Sequence, residues 1–536
     1  MKRFSTLILS FFLFAFTISA ADKKPASYPA IEFASKMQTG WNLGNSLDAR
    51  DNWTKKYPLN QGLSSETCWG EEITTEAIIK TGIQNGYKTI RIPVTWCNHI
   101  IDDKYTIDPK WMARVKQIVD WSMAAGYYVI LNEHHSVHDD MSSPLKKGEG
   151  YNLAANSEAE SRAFLSAIWT QITQTFNNDY DEHLIFETMN EPRNTNHEHC
   201  WSPLPSSCKE CKADVQLLNS YNQLILDIIR KSGGNNANRY VMIPGVGTSI
   251  ETALADYFVL PKDSASDRLI VTVHMYPLDW GGTGKGSHHF DANTKNEITS
   301  KMKALNKKFS SKGIPVVIGE YGSAKKAQTY WEDGIEKKIK DYVTTYEDRL
   351  NCFTHFAAQT GKYSMPLINW DCGGVDGMAT IDRKNCKLVE PDYVAAINQA
   401  WKNANGNPDS TQSNIENTPI SISDLKVWDA KSSSFDAATG LLKLGPEWKG
   451  ADIWFGEKDI SDFKGIKITY KKATTNIQCW VSYSDESESG RQILKKSEGE
   501  NSITIKLNSS KKLRQICIMA EKDKASIIIE EISLYL

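Results

Sequence analysis

The chain has almost no net charge for its size: 62 Lys and Arg residues balance 65 Asp and Glu residues, giving a formal charge of -3. Proteins that bind nucleic acid need a basic surface to neutralise phosphates, so we expect no nucleic-acid partner. No Gly-rich phosphate loop follows a strand-like run, which argues against a doubly wound nucleotide-binding sheet. Beyond residue 21 no apolar run is long enough to span a bilayer, and we expect no membrane partner.

The longest apolar run lies at the amino terminus. Lys2 and Arg3 precede the apolar residues 7–16, and small residues follow at positions 19–21. A basic start, a short apolar core and small residues at the cleavage point are typical of a secretory signal. We therefore expect residues 1–21 to be removed and the mature protein to be secreted, as a monomer.

The chain has ten cysteines. An even number in an exported protein favours disulfides over metal sites. The pairs that the spacing allows are Cys200 with Cys208 or Cys211, Cys372 with Cys386, and Cys479 with Cys517. His197 and His199 stand before Cys208 and Cys211 at a spacing that also resembles a zinc site. We predict disulfides here and no metal.

Strand-like apolar runs alternate with helical patterns eight times within residues 22–403. Asp108, Pro109 and Gly126, for example, are start and stop signals for one of these helices, and residues 327–346 are predicted to form another. Eight such units predict an α/β fold, a (β/α)8 TIM barrel. Residues 404–418 have linker composition. Short β-patterned runs over residues 419–536 predict an all-β, jelly-roll-like sandwich.

Polar side chains follow the predicted barrel strands, at the end where such barrels carry out chemistry. Two strands each deliver one glutamate, Glu191 and Glu320. Glycoside hydrolysis needs one carboxylic acid to protonate the leaving oxygen and a second carboxylate, so this pair predicts a glycosidase. The other strand-end residues are Asn45, Arg91, His134, Asn190, His274 and Trp370. We expect Arg91 to pair with Glu320, and Glu187 to be structural.

The sequence is also compatible with two alternative functions. A catalytically silent barrel would bind sugar without hydrolysing it, although binding alone requires neither Glu191 nor Glu320. A metal-dependent hydrolase would use His134 and His135. Adjacent strand residues point to opposite faces, however, which disfavours a shared ion.

Several motifs in this order resemble glycoside hydrolase family 5. They are RIPVTW at 91–96, NEHH at 132–135, MNEPR at 189–193, HMY at 274–276 and IGEYG at 318–322. The stretches GWNLGNSLDA at 40–49 and LIFE at 184–187 resemble its bacterial and rumen-type endoglucanase branch. The resemblance implies a retaining endo-β-1,4-glucanase that cleaves internal bonds of cellulose and related β-glucans and needs no cofactor.

The same resemblance implies roles for individual residues. Glu191 would be the acid/base and Glu320 the nucleophile. The residues that would bind or position substrate are Asn45, Arg91, His134, His135, Asn190, His274, Tyr276 and Trp370. Within this set, Asn190 would contact the sugar 2-hydroxyl, Arg91 and Tyr276 would position Glu320, and Trp370 would form a stacking floor.

Two departures from the family pattern bear on which polysaccharide this chain prefers. Glu71 and Glu72 stand where relatives usually have Asn-Pro, and a cysteine-containing insertion at 200–211 follows the acid/base strand. With these departures, xyloglucan, mixed-linkage glucan (lichenan), xylan or mannan would rival cellulose as the preferred polysaccharide. The C-terminal sandwich is similar to carbohydrate-binding modules. Its candidate platform residues are Trp428, Trp448, Trp454, Trp480 and Tyr483.

Overall fold

The computed structural model describes residues 30–535 apart from several gaps. The gaps are 52–59, 139–144, 146, 148, 202–204, 206, 279–288, 326–328, 333–334, 339–344, 375–376, 406–417, 438, 447, 461–462, 500 and 521–522. The predicted signal, residues 1–21, and most of the predicted linker, residues 404–418, lie outside the described residues. No helix in the described part is long and apolar enough to cross a membrane.

The described residues fall into two compact units. The first lies within Met1–His288, Lys303–Thr344 and Pro366–Pro391. The second lies within His289–Met302, Thr345–Met365 and Asp392–Leu536.

Eight parallel strands close into a barrel in the order β1-β10-β7-β6-β5-β4-β3-β2, which confirms the predicted (β/α)8 fold. They are β1 (Thr39–Asn42), β2 (Thr89–Ile92), β3 (Tyr128–Asn132), β4 (Leu184–Glu187), β5 (Val241–Ser249), β6 (Leu269–His274), β7 (Val316–Tyr321) and β10 (Leu367–Asn369). Because all eight run the same way, their carboxyl ends form one rim, where the polar side chains of the sequence meet.

Where the sequence has clear capping residues, the helices begin and end at them. They are α1 (Ala30–Met37), α2 (Glu76–Gln84), α3 (Pro109–Ala125), α4 (Glu158–Thr175), α5 (Lys209–Lys231), α6 (Ile250–Leu254), α7 (Ala292–Lys308), α8 (Tyr346–Lys362) and α9 (Pro391–Ala404). The Asp108 side chain accepts from Lys110 N at the start of α3, and Gly126 ends that helix with a left-handed φ of 91°.

The amino-terminal end of the barrel is closed by α1. Phe33 and Met37 of this helix pack into an apolar cluster with inward residues of the strands. The Phe33 ring stacks on Tyr240 with centroids 3.7 Å apart. This apolar floor excludes water from one end of the barrel, so the opposite, carboxyl end is the one that can admit a polar substrate.

The helix predicted for residues 327–346 is wrong. The described part of that stretch holds an antiparallel hairpin, β8 (Thr329–Glu332) and β9 (Ile335–Lys338). The helix α8 begins only at Tyr346, where Thr345 and Asp348 form a reciprocal capping box. Charged residues in 332–340 imitate helical spacing, whereas the β-branched and aromatic residues 329–331 favour a strand.

Two antiparallel sheets of the second unit pack face to face, which confirms the predicted sandwich. The first has the order β15-β16-β23-β18-β21, with β13 also pairing β23, and the second has the order β14-β17-β22-β19-β20. These strands are β13 (Thr418–Ile420), β14 (Lys426–Val427), β15 (Ser434–Asp436), β16 (Leu441–Leu444), β17 (Gly450–Lys458), β18 (Gly465–Lys471), β19 (Ile477–Tyr483), β20 (Gln492–Leu494), β21 (Asn501–Lys506), β22 (Leu513–Ala520) and β23 (Ala525–Tyr535). A hairpin of β11 (Ile381–Asp382) and β12 (Lys387–Leu388) belongs to the first unit. Inward residues of both sheets share one apolar core.

None of the ten cysteines forms a disulfide, which contradicts the predicted pairings. Cys479 and Cys517 lie on neighbouring strands, but Cys517 pairs in register with Trp480. Since successive strand residues point to opposite faces, Cys479 enters the core and Cys517 faces outward. Cys386 contacts the Arg383 carbonyl rather than Cys372. Cys208 and Cys211 both face His197 instead of Cys200.

Candidate active site

Arg91 lies at the centre of the rim, at the end of β2, and is fully buried. Its guanidinium donates to Glu320 Oε1 at 2.7 Å, to Glu187 Oε2 at 2.7 Å, to Asn190 Oδ1 at 2.7 Å and to Asn42 Oδ1 at 2.9 Å. The planar guanidinium of arginine, with its five N–H donors, suits contacts with several acceptors better than the ammonium group of lysine does. Arg91 therefore holds together four residues at the ends of three strands, β1, β4 and β7.

Glu187 ends β4 and has no exposed surface. Besides Arg91, its carboxylate accepts from Asn132 Nδ2 at 2.9 Å and from Thr272 Oγ1 at 2.9 Å. A buried carboxylate needs partners of this kind to offset its lost hydration. Glu187 thus acts as the anchor that orients Arg91, and it offers no free oxygen to a substrate.

Glu191 lies beyond the strand rather than at its last position. The sequence predicts a strand that reaches Glu191, but the sheet pairing of β4 ends at Glu187. Glu191 itself has a left-handed φ of 43°, which costs of order 1–3 kcal/mol in a non-glycine residue. Its backbone N–H donates to Thr248 Oγ1 at 2.9 Å, and this contact from β5 helps to hold the strained turn.

The two glutamates meet at His274, which ends β6. His274 Nδ1 lies 3.0 Å from Glu191 Oε1 and 3.5 Å from Glu320 Oε2. One oxygen of each carboxylate and the His274 nitrogen all lie within 4.8 Å of one another. The Tyr276 hydroxyl donates to Glu320 Oε2 at 2.8 Å. Glu320 therefore receives a hydrogen bond on each oxygen, from Arg91 on one and from Tyr276 on the other.

An aromatic wall borders the carboxylates. The Trp370 indole stacks on the His134 imidazole at 5.5 Å with an interplanar angle of 2°. Asn132 lies 3.1 Å from His134 Nδ1 through its amide nitrogen and so orients that ring. His134 is buried, whereas Trp370 is partly exposed, so Trp370 is the ring of this wall on which the apolar face of a sugar can stack.

Asn45 and His135 lie at the edge of this arrangement. The Asn45 amide donates to the Cys372 carbonyl at 3.3 Å. His135 contacts His134 edge-on at 4.3 Å, and its Nε2 lies 3.8 Å from Asp48 Oδ2. Both residues border the first βα loop, and the charge of His135 is one of the influences that lower the pKa of Glu191.

Sequence reasoning missed several residues around the site. Trp69 is 36% exposed and lies 5.7 Å from the His135 ring, so it adds an aromatic surface beside the wall. Thr248 supports Glu191 from a strand that carried no motif. Glu71 stands where relatives usually have Asn. Its carboxylate lies 3.4 Å from Arg383 and packs against Gly373. Only the exposed position of Trp69 in a polar loop could have been suspected from sequence.

Comparison with known proteins decides the family. The family model described as cellulase (glycosyl hydrolase family 5) matches residues 47–374. Endoglucanase 1 of Ruminococcus albus is 34% identical over 372 residues, which cover 68% of this chain and 80% of that protein. The chain belongs to glycoside hydrolase family 5.

Solved structures of family 5 enzymes have the same barrel. A lichenase mutant from Caldicellulosiruptor sp. F32, in complex with cellotetraose, matches with a TM-score of 0.62 and 32% identity over 72% of this chain and 98% of that one. A broad-specificity endoglucanase from Ruminococcus champanellensis with bound cellotriose matches with a TM-score of 0.59 and 29% identity, over 70% and 99%. This family 5 chain is a glycoside hydrolase of the cellulase type.

The charges of the family 5 carboxylates depend on one histidine. Burial raises the pKa of Glu320, although the charges of His274 and Arg91 oppose the rise. Burial also acts to raise the pKa of Glu191, but the hydrogen bond and charge of His274, together with the charges of Arg193 and His135, outweigh burial and lower that pKa. Arg91 keeps its charge at every working pH, and its ion pair with Glu320 at 2.7 Å favours the charged form of that carboxylate.

Proposed function

We propose that this enzyme is a retaining endo-β-1,4-glucanase in which Glu320 is the nucleophile and Glu191 is the acid/base. The observation that carries the proposal is that one oxygen of Glu191 lies within 4.8 Å of one oxygen of Glu320. Retaining glycosidases place their carboxyl groups about 5–5.5 Å apart, whereas inverting enzymes need more than about 6.5 Å to admit a water molecule. The fixed Arg91 and Tyr276 donors favour Glu320 as the charged member of the pair.

In the first step the Glu320 carboxylate attacks the anomeric carbon. The bond to the leaving oxygen breaks, its electron pair stays on that oxygen, and Glu191 supplies the proton. Asn190 accepts from Arg91 through Oδ1, which leaves its amide N–H groups for a substrate hydroxyl. A covalent α-linked glycosyl ester on Glu320 results.

In the second step water attacks the same carbon from the β face. Glu191, now ionised, takes a proton from that water, and the ester bond to Glu320 breaks. His274 can serve both steps because it lies within 3.5 Å of both carboxylates. The sugar is released with the β configuration of the original bond.

The proposed substrate is a β-1,4-linked glucan, as cellulose or mixed-linkage glucan. The partly exposed Trp370 ring, which stacks on buried His134, supplies a flat platform for a glucosyl unit, and Trp69 supplies an exposed aromatic surface beside His135. The relatives with solved structures include a lichenase and a broad-specificity endoglucanase. These names support glucans as the substrate class ahead of xylan and mannan.

The function is tested by a hydrolysis panel with product anomers followed by NMR. We expect reducing ends from carboxymethylcellulose and lichenan, slower release from xyloglucan, and little from xylan or mannan. The first product from lichenan should be the β-anomer, because two displacements retain configuration. Initial α-anomer would contradict the retaining mechanism. Faster cleavage of xylan or mannan would contradict the substrate, and no cleavage at all would favour a silent sugar-binding protein.

We further propose that the enzyme is secreted and that its C-terminal sandwich binds β-glucan. Residues 1–21 have the order of a secretory signal. The sandwich carries aromatic side chains on the outer face of its second sheet: Trp454 is 57% exposed and Trp428 is 46% exposed. Exposed aromatics on a sheet that already has a complete core are available to a ligand.

The outer face has polar side chains beside these rings. Arg514 lies 4.9 Å over the Trp454 ring, and Arg491 lies 4.4 Å over the Trp480 ring. Trp480 is only 5% exposed and packs edge-on against Trp428 at 6.4 Å, so it supports the platform from below. Tyr483 belongs to the inner core and is not a platform residue.

Removing the exposed rings should separate binding from catalysis. We expect Trp454→Ala to weaken adsorption to insoluble cellulose by roughly tenfold or more, which is typical of an aromatic anchor. Hydrolysis of soluble lichenan should be unchanged. Thr504→Ala, on an exposed position of the first sheet, is the matched control and should adsorb normally. Equal adsorption of both variants and the parent, measured by depletion isotherms, would contradict the binding proposal.

A further inference from the structure

Four potential metal ligands meet in the loop that follows Glu191. This Cys/His cluster consists of His197, His199, Cys208 and Cys211. Cys208 precedes the first residue of α5, and Cys211 lies in its first turn and is fully buried. The two histidines come from the preceding loop. All four ligating atoms lie within 4.8 Å of one another.

The distances fit a tetrahedral ion. Cys208 Sγ lies 3.5 Å from His197 Nε2, and Cys211 Sγ lies 3.8 Å from the same nitrogen. Cys211 Sγ lies 3.4 Å from His199 Nδ1. Zinc–sulfur bonds of about 2.3 Å and zinc–nitrogen bonds of about 2.0 Å give a tetrahedron with sulfur–nitrogen edges of about 3.5 Å. The cluster thus has nearly the dimensions of an occupied Cys2His2 site.

A buried carboxylate orients one of the ligands. His197 Nδ1 lies 2.8 Å from Asp214 Oδ2, and Asn194 Nδ2 donates to Asp214 Oδ1 at 3.1 Å. When Nδ1 carries the proton for Asp214, Nε2 presents a lone pair toward the two sulfurs. Histidines that bind metals almost always make such a contact through their second nitrogen. This observation is independent of the spacing of the four ligands.

We propose that the Cys/His cluster binds one zinc ion, which cross-links the loop after Glu191 to the first turn of α5. Two thiolates and two imidazoles in a tetrahedron select zinc among the common ions. Four protein ligands leave no open position, so the ion is structural and takes no part in hydrolysis. Cys200 lies outside the cluster, and its thiol is not needed.

The ion would hold a specific aromatic side chain at the catalytic rim. Trp201 stands two residues after His199, is 51% exposed and stacks under the Arg193 guanidinium at 4.1 Å. Arg193 in turn donates to the Glu191 carbonyl at 3.1 Å. The Trp201 carbonyl lies 3.0 Å from the place that a Cβ on Gly247 would take, so the loop sits closely on the end of β5.

Metal analysis of the full chain tests the proposal. Protein purified without chelator should contain about one zinc ion per chain, measured by inductively coupled plasma mass spectrometry, as expected for a single closed site. The double variant C208S/C211S should lose that zinc, whereas Cys200→Ser, in the same loop, should keep it. Asp214→Asn should keep the site but lower its zinc affinity by roughly 10–100-fold. Zinc that persists in the double variant would place the metal elsewhere and overturn the proposal.

Two further measurements do not depend on catalytic activity. Cobalt(II) bound in place of zinc should give the intense visible bands of a tetrahedral ion and a thiolate charge-transfer band, and both should be absent from C208S/C211S. A zinc-free parent protein with a Cys208–Cys211 or Cys200–Cys208 disulfide in its unreduced peptide map would overturn the proposal. Circular dichroism of the double variant checks that the barrel remains folded while the metal is lost.

Discussion

Glu320→Ala should lose roughly 10⁴- to 10⁶-fold in kcat, the scale seen when a catalytic nucleophile is removed. The reason is that the variant has lost the carboxylate that displaces the leaving oxygen. Sodium azide should restore turnover of an aryl β-cellobioside, because the small anion fits the space of the missing carboxylate. The product should be the α-glycosyl azide, identified by NMR.

The Glu191→Ala variant gives the complementary result. We expect a loss of roughly 10²–10⁴-fold on β-glucan, the usual contribution of a general acid. Cleavage of a substrate with an acidic phenol as leaving group should be impaired much less in its first step, because that phenol needs no proton. Azide should then attack the glycosyl ester from the other side and give the β-glycosyl azide.

Exposed Glu72, in the first βα loop, is the control carboxylate for both variants. Glu72→Ala should keep full activity and should not respond to azide. If Glu320→Ala gave the β-azide and Glu191→Ala the α-azide, the two roles would be exchanged. If neither variant gave a glycosyl azide, the covalent mechanism would be refuted.

Arg91→Met should destabilise the barrel by about 3–5 kcal/mol, the cost of leaving a buried charge without its partner. Arg91 is fully buried and has ion pairs at 2.7 Å with both Glu187 and Glu320. Adding Glu187→Gln to Arg91→Met should recover part of the loss, because one of the two stranded charges is then removed. The free energy of unfolding from urea titration measures both effects.

The destabilisation caused by Arg91→Met should grow as the pH rises. Burial raises the pKa of Glu320, and Arg91 is one of the cations that oppose the rise. Without Arg91 the folded state of the variant holds a proton on Glu320 up to higher pH than the unfolded chain does. Its free energy of unfolding should therefore fall as pH rises through that range. A destabilisation that grows toward acid would contradict this account.

Arg91→Lys separates charge from geometry. The lysine keeps one positive charge but cannot make the hydrogen bonds to four residues that the guanidinium makes. We expect it to fold, to lose kcat more than it changes KM, and to shift the acid limb of kcat/KM to higher pH. The limb moves upward because the nucleophile must be ionised, and its pKa rises when the guanidinium 2.7 Å away is replaced by an ammonium that cannot make the same hydrogen bond. An unchanged acid limb would show that Arg91 does not keep Glu320 charged.

Local patterns in the sequence predicted much of the fold because they depend on neighbouring residues. Asp108, Pro109 and Gly126 mark the two ends of α3 within a residue of the prediction. The same kind of reasoning failed for residues 327–346, where charged residues at helical spacing stand in a hairpin. It also placed Glu191 on a strand, although the backbone leaves the sheet at Glu187 and turns through a left-handed conformation.

Other features depend on contacts between distant residues. The sequence indicated that Glu191 and Glu320 share a rim, but only the closed barrel brings their oxygens within 4.8 Å. Spacing left zinc and disulfides open for Cys208 and Cys211 and favoured a disulfide with Cys200, because spacing cannot show that both thiols face His197 or that Asp214 and Asn194 orient that ring. For Cys479 and Cys517 the strand register decided against a bond.

By itself, the sequence determined the alternation of strands and helices, the glutamates at the strand ends and the family to which the chain belongs. These follow from hydrophobic period, capping residues and short motifs, all of which are properties of contiguous residues. The tertiary structure decided that Arg91 joins Glu187, Asn190 and Glu320, and that two histidines and two cysteines converge beside Trp201. Such arrangements arise from strand register and barrel closure, which bring together residues whose separation along the chain gives no measure of their distance in space.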